Sequence, residues 1–267
     1  MSDWRPKLIA TDMDGTLLRD DDTVGPDTVA ELERWRAEGV PIVLATGRPP
    51  RWMYRIRTTL GWGTAVCCNG AVLLDLARFE ILAETPLDPA TLRELTTELR
   101  RRVDDVGFAV EYGLEFRHEP RYQPHWDVDA PGVAEAPLEE LVAAPAAKLL
   151  ARSETTGRDA FMAVIEQIVG DRATVTNSSG EALAEISAPG VTKATGLAAV
   201  AARHGIGPED VVVFGDMPND IAAFDWVRAG GGRAVAMAHA HPDVLAAATD
   251  VTATNEEDGV ALFLRGL

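Results

Sequence analysis

Basic residues are scarce in this chain of 267 residues. Lys and Arg number 25 against 42 Asp and Glu, which gives a formal net charge of −17 at pH 7. A surface this acidic repels nucleic-acid backbones and anionic lipids, so we expect neither a nucleic-acid partner nor a membrane partner. An anionic substrate would need a local region of positive charge, which a bound metal ion can supply.

Cysteines and long apolar runs are also few. The two cysteines, Cys67 and Cys68, are adjacent in sequence, where a structural disulfide is geometrically awkward. The first 30 residues carry several charges and lack the apolar stretch of a signal peptide. No run approaches the roughly 18 apolar residues that span a bilayer. These features predict a reduced, cytoplasmic protein.

Short apolar strands alternate with amphipathic helices in the two outer parts of the chain. The apolar runs at 7–11, 41–45, 211–214 and 233–237 are each followed by a helical pattern, and a further strand is predicted at 65–68. Such alternation is typical of a parallel sheet with helices on both faces, a Rossmann-like α/β core. In these sheets, ligands bind at the carboxyl ends of the strands.

The middle of the chain departs from this alternation. A helix at 89–103, on which Leu92, Leu95 and Leu99 share one face, is followed by scattered strands and an irregular, proline-broken loop at 118–131. The segment is long enough to form a small α+β domain of its own. We therefore predict a core from residues 1–83 and 189–267, with an inserted α+β cap domain at 84–188.

Four polar motifs follow predicted strands or begin predicted helices. DMDGT at 12–16 places two carboxylates one residue apart after the first strand. ATGR at 45–48 offers a hydroxyl and an unobstructed glycine N–H to an anion at a helix start. Lys193 begins a later helix, and GDMPND at 215–220 follows another apolar strand.

The side chains of these motifs are suited to one kind of chemistry. The oxygens of Asp216, Asn219 and Asp220 are hard ligands that favour Mg²⁺ over zinc. Carboxylates, a lysine, a hydroxyl and glycine amides at one sheet edge describe a site for Mg²⁺ and a phosphoryl group. The set therefore indicates phosphoryl transfer.

In this order, DMDGTLL, ATGR, the central Lys193 and GDMPND resemble the haloacid dehalogenase (HAD) superfamily of phosphatases. More narrowly, they are similar to its Cof-type branch, which carries a large α/β cap between the second and third motifs. NGA at 69–71 and TNEEDGVA at 254–261 support that branch. The resemblance covers nearly the whole chain, although many members have Gly where Met217 stands.

The resemblance implies a mechanism with an aspartyl-phosphate intermediate. Asp12 is then the nucleophile, and Asp14 protonates the leaving alkoxide before it deprotonates the hydrolytic water. Mg²⁺ is expected on the Asp12 carboxylate, the Asp14 backbone carbonyl and Asp216. Asp220 completes or orients that shell. The residues expected to hold the phosphoryl oxygens are Thr46, Gly47, Lys193 and Asn219.

Substrate specificity is expected in the cap. An inserted domain that closes over a site excludes water and contacts the leaving group. Side chains in or near the irregular stretch are the candidates, with decoration of a surface loop as the alternative for each one. They are Glu111, His118, Glu119, Tyr122 and His125.

These observations predict a Mg²⁺-dependent phosphatase that hydrolyses small phosphorylated metabolites, either sugar phosphates or nucleotide and cofactor phosphates. A phosphomutase or a dedicated sugar-phosphate phosphatase of the same superfamily is the nearest alternative. A further alternative is a non-catalytic relative that binds phosphate without turnover. The expected partner is a small phosphorylated metabolite, and the expected oligomeric state is a monomer or a weak homo-oligomer.

Overall fold

Two compact units make up the chain. The computed structural model describes residues 4–125, 131–177 and 181–267. The first unit, called the core unit, comprises Met1–Arg48, Trp52–Leu82 and Thr192–Leu267. The second, called the cap unit, comprises Pro49–Arg51 and Ala83–Val191. The division at residues 84 and 188 into a catalytic core and a specificity cap remains a prediction.

Strands and helices alternate along most of the described chain. The strands are β1 (Leu8–Thr11), β2 (Ile42–Ala45), β3 (Thr64–Cys67), β4 (Val72–Asp75), β5 (Glu80–Glu84), β6 (Gly107–Tyr112), β7 (Glu115–His118), β8 (Val133–Glu135), β9 (Lys148–Arg152), β10 (Thr174–Thr176), β11 (Leu183–Ser187), β12 (Val211–Gly215), β13 (Arg233–Ala236) and β14 (Asp250–Val251). The helices are α1 (Pro26–Ala37), α2 (Met53–Thr59), α3 (Pro89–Arg102), α4 (Leu138–Leu141), α5 (Arg158–Val169), α6 (Lys193–Arg203), α7 (Ile221–Gly230), α8 (Pro242–Ala247) and α9 (Gly259–Arg265).

In the larger sheet the polar motifs lie together at the carboxyl ends of the central strands, because these strands are parallel. Its strand order is β14-β13-β12-β1-β2-β3-β4-β5. β1 lies at its centre and pairs in parallel with both β12 and β2. Thr11 is opposite Phe214 on one side and Leu44 on the other. The residues that follow these three strands therefore emerge side by side.

Helices cover both faces of this sheet. Alternate residues of the central strands, such as Leu8 and Val213, pack in one buried cluster with residues of α6, α7 and α8, among them Phe224. On the opposite face, α1 packs against α9, and the Phe214 ring lies edge-on to Phe263 at 5.5 Å between centroids. The predicted Rossmann-like core with helices on both faces is confirmed.

At one side of the larger sheet the strands are not all parallel. β4 runs antiparallel to β3, with Cys67 opposite Val72. The chain reverses through Cys68, Asn69 and Gly70, whose φ angles of 51°, 53° and 116° place three consecutive residues in the left-handed region. The predicted parallel sheet is thus present in the central strands, and this hairpin adds an antiparallel strand that was not predicted.

The cap unit is built on a second sheet, with strand order β10-β11-β9-β6-β7-β8. Neighbouring strands are antiparallel except for β7 and β8. Helices α3 and α5 pack against each other, and α5 packs on β10 and β11. The inserted α+β architecture is thus confirmed. His118 ends β7 rather than beginning a loop, and residues 126–130 of the predicted loop lie outside the described residues.

Within the described ranges, no helix is both long and apolar enough to cross a membrane.

Phe224 tests the packing of α7 on the sheet. Its side chain is fully buried in the core cluster, so we expect Phe224→Ala to lower the free energy of unfolding by about 3–5 kcal/mol. Leu262→Ala, at a helical position 49% exposed, should change it by less than about 0.5 kcal/mol. Urea unfolding followed by circular dichroism compares the two, and equal midpoints would contradict this packing.

Candidate active site

Four segments of the core unit meet at the carboxyl edge of the parallel strands. Asp12 follows β1, Thr46 follows β2 and Asp216 follows β12. Lys193 is the first residue of α6. The Thr195 N–H donates to the Thr192 hydroxyl oxygen at 3.3 Å, and the Thr192 N–H donates to the Thr195 hydroxyl oxygen at 3.0 Å. This reciprocal cap fixes the start of the helix and therefore the position of Lys193.

Lys193 is the centre of the site. Its side chain is 1% exposed, and its Nζ donates to Asp12 Oδ1 at 2.7 Å and to Asp220 Oδ1 at 2.6 Å. A buried ammonium group is stable only when it is paired with negative charge. Burial alone would lower the pKa of Lys193, but the charges of Asp12 and Asp220 outweigh it and raise that pKa above its ordinary value. Lys193 is therefore a permanent cation.

Three buried carboxylates surround this single cation. Asp12, Asp216 and Asp220 each offer an oxygen within 4.8 Å of the others. Burial raises the pKa of Asp12 well above its ordinary value; Lys193 opposes this effect, and the two neighbouring carboxylates add to it. Burial likewise raises the pKa of Asp216. Because Lys193 offsets only one of three negative charges, a second cation would stabilise the cluster.

The three carboxylates differ in how their oxygens are used. Both oxygens of Asp220 are engaged, since Oδ1 accepts from Lys193 and Oδ2 accepts from the backbone N–H groups of Asp216 and Met217, each at 3.1 Å. Asp216 Oδ1 accepts from the Thr16 hydroxyl at 2.8 Å. Asp220 therefore orients the cluster, whereas Asp12 and Asp216 are better arranged to bind a metal ion.

Gly15 and Thr16 of the first motif, together with His239, give the cluster its shape, although no role is predicted for them from the sequence. A Cβ at Gly15, which has φ +73°, would lie 2.5 Å from Asp216 Oδ2, so only glycine fits there. His239 Nε2 lies 2.9 Å from the Gly15 carbonyl oxygen and donates to it. Gly15 is a visible signal for a turn in the motif, but the contacts of Thr16 and His239 join residues far apart in sequence and have no local signal.

Asp14 lies apart from the buried cluster. Its side chain is 53% exposed and forms an ion pair with Arg48. The Arg48 Nε is 3.0 Å from both carboxylate oxygens, and its Nη2 also contacts Asp22 at 2.7 Å. Arg48, which follows the second motif, is thus a direct partner of the predicted acid–base residue.

The second motif contributes a buried hydroxyl. Thr46 is fully buried, its N–H donates to the Val66 carbonyl at 2.8 Å, and its Oγ1 accepts from the Arg48 N–H at 3.0 Å. A hydroxyl that accepts one hydrogen bond retains a proton to donate. Gly47 follows directly and is half-buried.

The predicted cap residues lie in the cap unit, where several are engaged internally. Glu111 is buried against Arg51 at 3.2 Å, and burial raises the pKa of Glu111. Glu119 accepts from the Phe108 N–H at 2.8 Å and pairs with Arg100. The Tyr122 ring packs 6.3 Å from His118, and His125 lies 2.9 Å from an Arg152 nitrogen. Substrate contact by these residues remains a prediction.

Comparison with known proteins agrees with this geometry. The sequence profile of haloacid dehalogenase-like hydrolases matches residues 9–264. The chain therefore belongs to that family, as its motifs predicted, and it is a phosphatase of the family.

Individual relatives resemble the chain over almost its whole length. YxeH of Bacillus subtilis (strain 168), provisionally named a phosphatase, is 30% identical over 96% of each chain. The 5-amino-6-(5-phospho-D-ribitylamino)uracil phosphatase YitU of the same organism is 28% identical over 98% of this chain and 97% of its own. The solved structure of the HAD subclass IIB sugar phosphatase BT4131 shares the fold, with a TM-score of 0.80, 21% identity and coverage of 97% and 98%.

A divalent cation should stabilise the protein through the carboxylate cluster. At a Mg²⁺ concentration of 100 times its Kd, we expect about 2.7 kcal/mol of added stability, measured as a rise in Tm by calorimetry. Because the pKa values of Asp12 and Asp216 are raised, protons compete with the cation, and the rise in Tm should shrink as pH falls.

Two variants isolate this effect. Asp216→Asn keeps an oxygen to accept from Thr16 but removes a charge, so it should abolish the Mg²⁺-dependent rise in Tm. Asp225→Asn, at an exposed position of α7, should retain it. An equal rise in both variants would place the cation elsewhere.

Proposed function

We propose that this protein is a Mg²⁺-dependent phosphatase that hydrolyses small phosphorylated metabolites through an aspartyl-phosphate on Asp12. The observation that carries the proposal is the buried Lys193, held by Asp12 and Asp220 within a cluster that includes Asp216. A carboxylate can approach a phosphate dianion only where positive charge offsets their repulsion. Lys193 supplies such charge at 2.7 Å from Asp12 Oδ1.

Asp12 is the proposed nucleophile. Its Oδ1 is fixed by Lys193 at 2.7 Å, which leaves Oδ2 as the oxygen to attack phosphorus in line. Attack forms the Asp12–phosphorus bond and breaks the bond to the leaving oxygen. Lys193 holds the Asp12 carboxylate in one rotamer and neutralises charge that develops on the phosphoryl oxygens.

Asp14 is the proposed general acid and base. It donates a proton to the leaving oxygen and then accepts one from the water that cleaves the aspartyl-phosphate. Its carboxylate is paired with Arg48, so that contact must open before the Asp14 side chain can reach the leaving oxygen. The exposed position of Asp14 suits exchange of protons with solvent.

The phosphoryl oxygens would be held by hydrogen-bond donors from three segments. The Thr46 hydroxyl and the Gly47 N–H come from the second motif, and Lys193 adds its ammonium group. Asn219 adds a carboxamide from the turn before α7. Together, these donors would suit an anionic group with several acceptor oxygens, such as a phosphoryl dianion.

Three carboxylates within 4.8 Å are the hard oxygen donors that Mg²⁺ prefers. Asp12 and Asp216, with the Asp14 backbone carbonyl, would hold the ion, and Asp220 would orient the other two side chains. When bound, Mg²⁺ supplies positive charge that offsets the repulsion between Asp12 and the phosphoryl group.

Sugar phosphates and cofactor-related phosphates are the substrate classes that we propose. YitU is named for a phosphorylated ribityl compound and BT4131 for sugar phosphates. The net charge of −17 favours a small substrate whose phosphate enters a local cationic site over a polyanion. We further propose that this protein is cytoplasmic and that it is a monomer or a weak homo-oligomer.

Phosphate release with and without Mg²⁺ tests the proposal on aryl, sugar and nucleotide phosphates. Asp12→Asn removes the nucleophile at nearly constant volume, and we expect at least about a 10³-fold loss of kcat. Asp225→Asn is the control and should match the wild type. Residual Asp12→Asn activity above about one-hundredth of the wild type would contradict the nucleophile assignment. Isomerised sugar without free phosphate would indicate a mutase, and phosphate binding without turnover would indicate a non-catalytic relative.

The role of Asp14 predicts a dependence on the leaving group. We expect Asp14→Asn to lower kcat by about 10²–10⁴-fold for an alkyl phosphate such as a hexose phosphate. The loss should be much smaller for p-nitrophenyl phosphate, because nitrophenolate leaves without a proton. Comparison of kcat for the two substrates measures this, and equal losses would rule out general-acid catalysis by Asp14.

A further inference from the structure

The hairpin turn between β3 and β4 has an unusual backbone. Cys68, Asn69 and Gly70, called the 68–70 turn, are buried and have φ angles of 51°, 53° and 116°. Left-handed conformations are uncommon outside glycine, and asparagine is among the residues that tolerate them best. The NGA motif that supported the family resemblance begins in this turn, and the proposed mechanism gives it no role.

The backbone of the 68–70 turn holds the segment that carries Thr46. The Asn69 N–H donates to the Thr46 carbonyl at 3.0 Å, and the Cys68 N–H donates to the Arg48 carbonyl at 3.0 Å. These two bonds bracket Gly47, whose N–H is proposed to bind phosphate. The turn thus fixes the path of the second motif.

The 68–70 turn is also packed tightly against the start of α6. A Cβ at Gly70 would lie 2.1 Å from the Thr192 carbonyl oxygen, and one at Gly196 would lie 2.9 Å from the Gly70 Cα. Neither position accommodates a side chain. The backbone of the turn therefore lies directly beside the helix start that carries Lys193.

The side chain of Asn69 reaches a third part of the site. Its Oδ1 accepts a hydrogen bond from Asn219 Nδ2 at 3.1 Å. In the described part of the chain, Asn219 Oδ1 is buried without a hydrogen-bond partner. One N–H of Asn219 is thus committed to Asn69, which sets the plane of the Asn219 carboxamide.

We infer that Asn69 is a positioning residue that orients the Asn219 carboxamide toward the phosphoryl group, an inference that rests on the proposed function. With one Asn219 N–H bonded to Asn69, the second N–H is directed to a phosphoryl oxygen. The buried Oδ1 accepts from a donor such as a water or a substrate hydroxyl, because phosphoryl oxygens of a dianion can only accept. In this arrangement Asn69 acts through Asn219.

A double-mutant cycle with Asn69→Gly and Asn219→Ala tests this inference. Glycine adopts the left-handed backbone without strain, so Asn69→Gly removes the carboxamide and preserves the turn. The readouts are kcat and KM for p-nitrophenyl phosphate, Ki for inorganic phosphate, and Tm. We expect each single variant to raise KM and Ki about 10-fold, with a smaller change in kcat, as for loss of a hydrogen bond to a charged group.

The double variant distinguishes positioning from independent action. If Asn69 acts through Asn219, the double variant should have the Ki of Asn219→Ala within about twofold. A Ki raised by the product of the two single effects would overturn the inference, as would an unchanged Ki in Asn69→Gly. A wild type that neither releases phosphate nor is inhibited by it would overturn the proposed function itself.

Asn69→Ala separates the side-chain effect from backbone stability. It removes the same carboxamide but keeps a Cβ at positive φ, so it should have a lower Tm than Asn69→Gly and the same Ki. A Ki that follows Tm across the two variants would indicate a merely structural role and would contradict positioning of Asn219.

Discussion

The buried ion pairs of Lys193 hold the active site together. Asp12 and Asp220 come from segments about 200 residues apart, and each is bonded to the same ammonium group. Without that cation, three buried carboxylates would repel one another at distances below 4.8 Å, a cost that proteins avoid by protonation or rearrangement. The charge of one lysine is therefore what allows the strand ends to present carboxylates at one point, and it leaves negative charge that a divalent cation can offset.

The sequence was sufficient to predict where the site lies. Parallel strands end on one edge of a sheet, so motifs placed after β1, β2 and β12 had to meet, and they do. Side-chain partners were harder to predict because they depend on rotamers and on contacts across long stretches of sequence. The hydrogen bonds Thr16–Asp216 and Asn69–Asn219 join residues 200 and 150 positions apart. Periodicity predicts which residues face an edge but not which of them bond there.

The fold shows the same division between what local patterns predict and what they miss. Amphipathic helices and apolar strands were evident because burial imposes a period on the sequence. The β3–β4 hairpin was missed because its turn depends on Cys68 and Asn69 in left-handed conformations, for which only Gly70 is an obvious signal. That turn is nevertheless the element that contacts the second motif, the start of α6 and Asn219. A short irregular segment can thus have more influence on a site than the regular elements around it.

Asp12 and Asp14 show how two identical side chains, two residues apart, acquire different surroundings. Asp12 is buried and bonded to Lys193. Asp14 is 53% exposed and bonded to Arg48. These surroundings suit the roles proposed for the two residues, because a nucleophile must be held in place, whereas an acid–base group must move and exchange its proton with solvent. Gly15, which directly follows Asp14, has a positive φ and lies against the Asp216 carboxylate. The spacing of the motif therefore places one carboxylate inside the charged cluster and leaves the other at its surface.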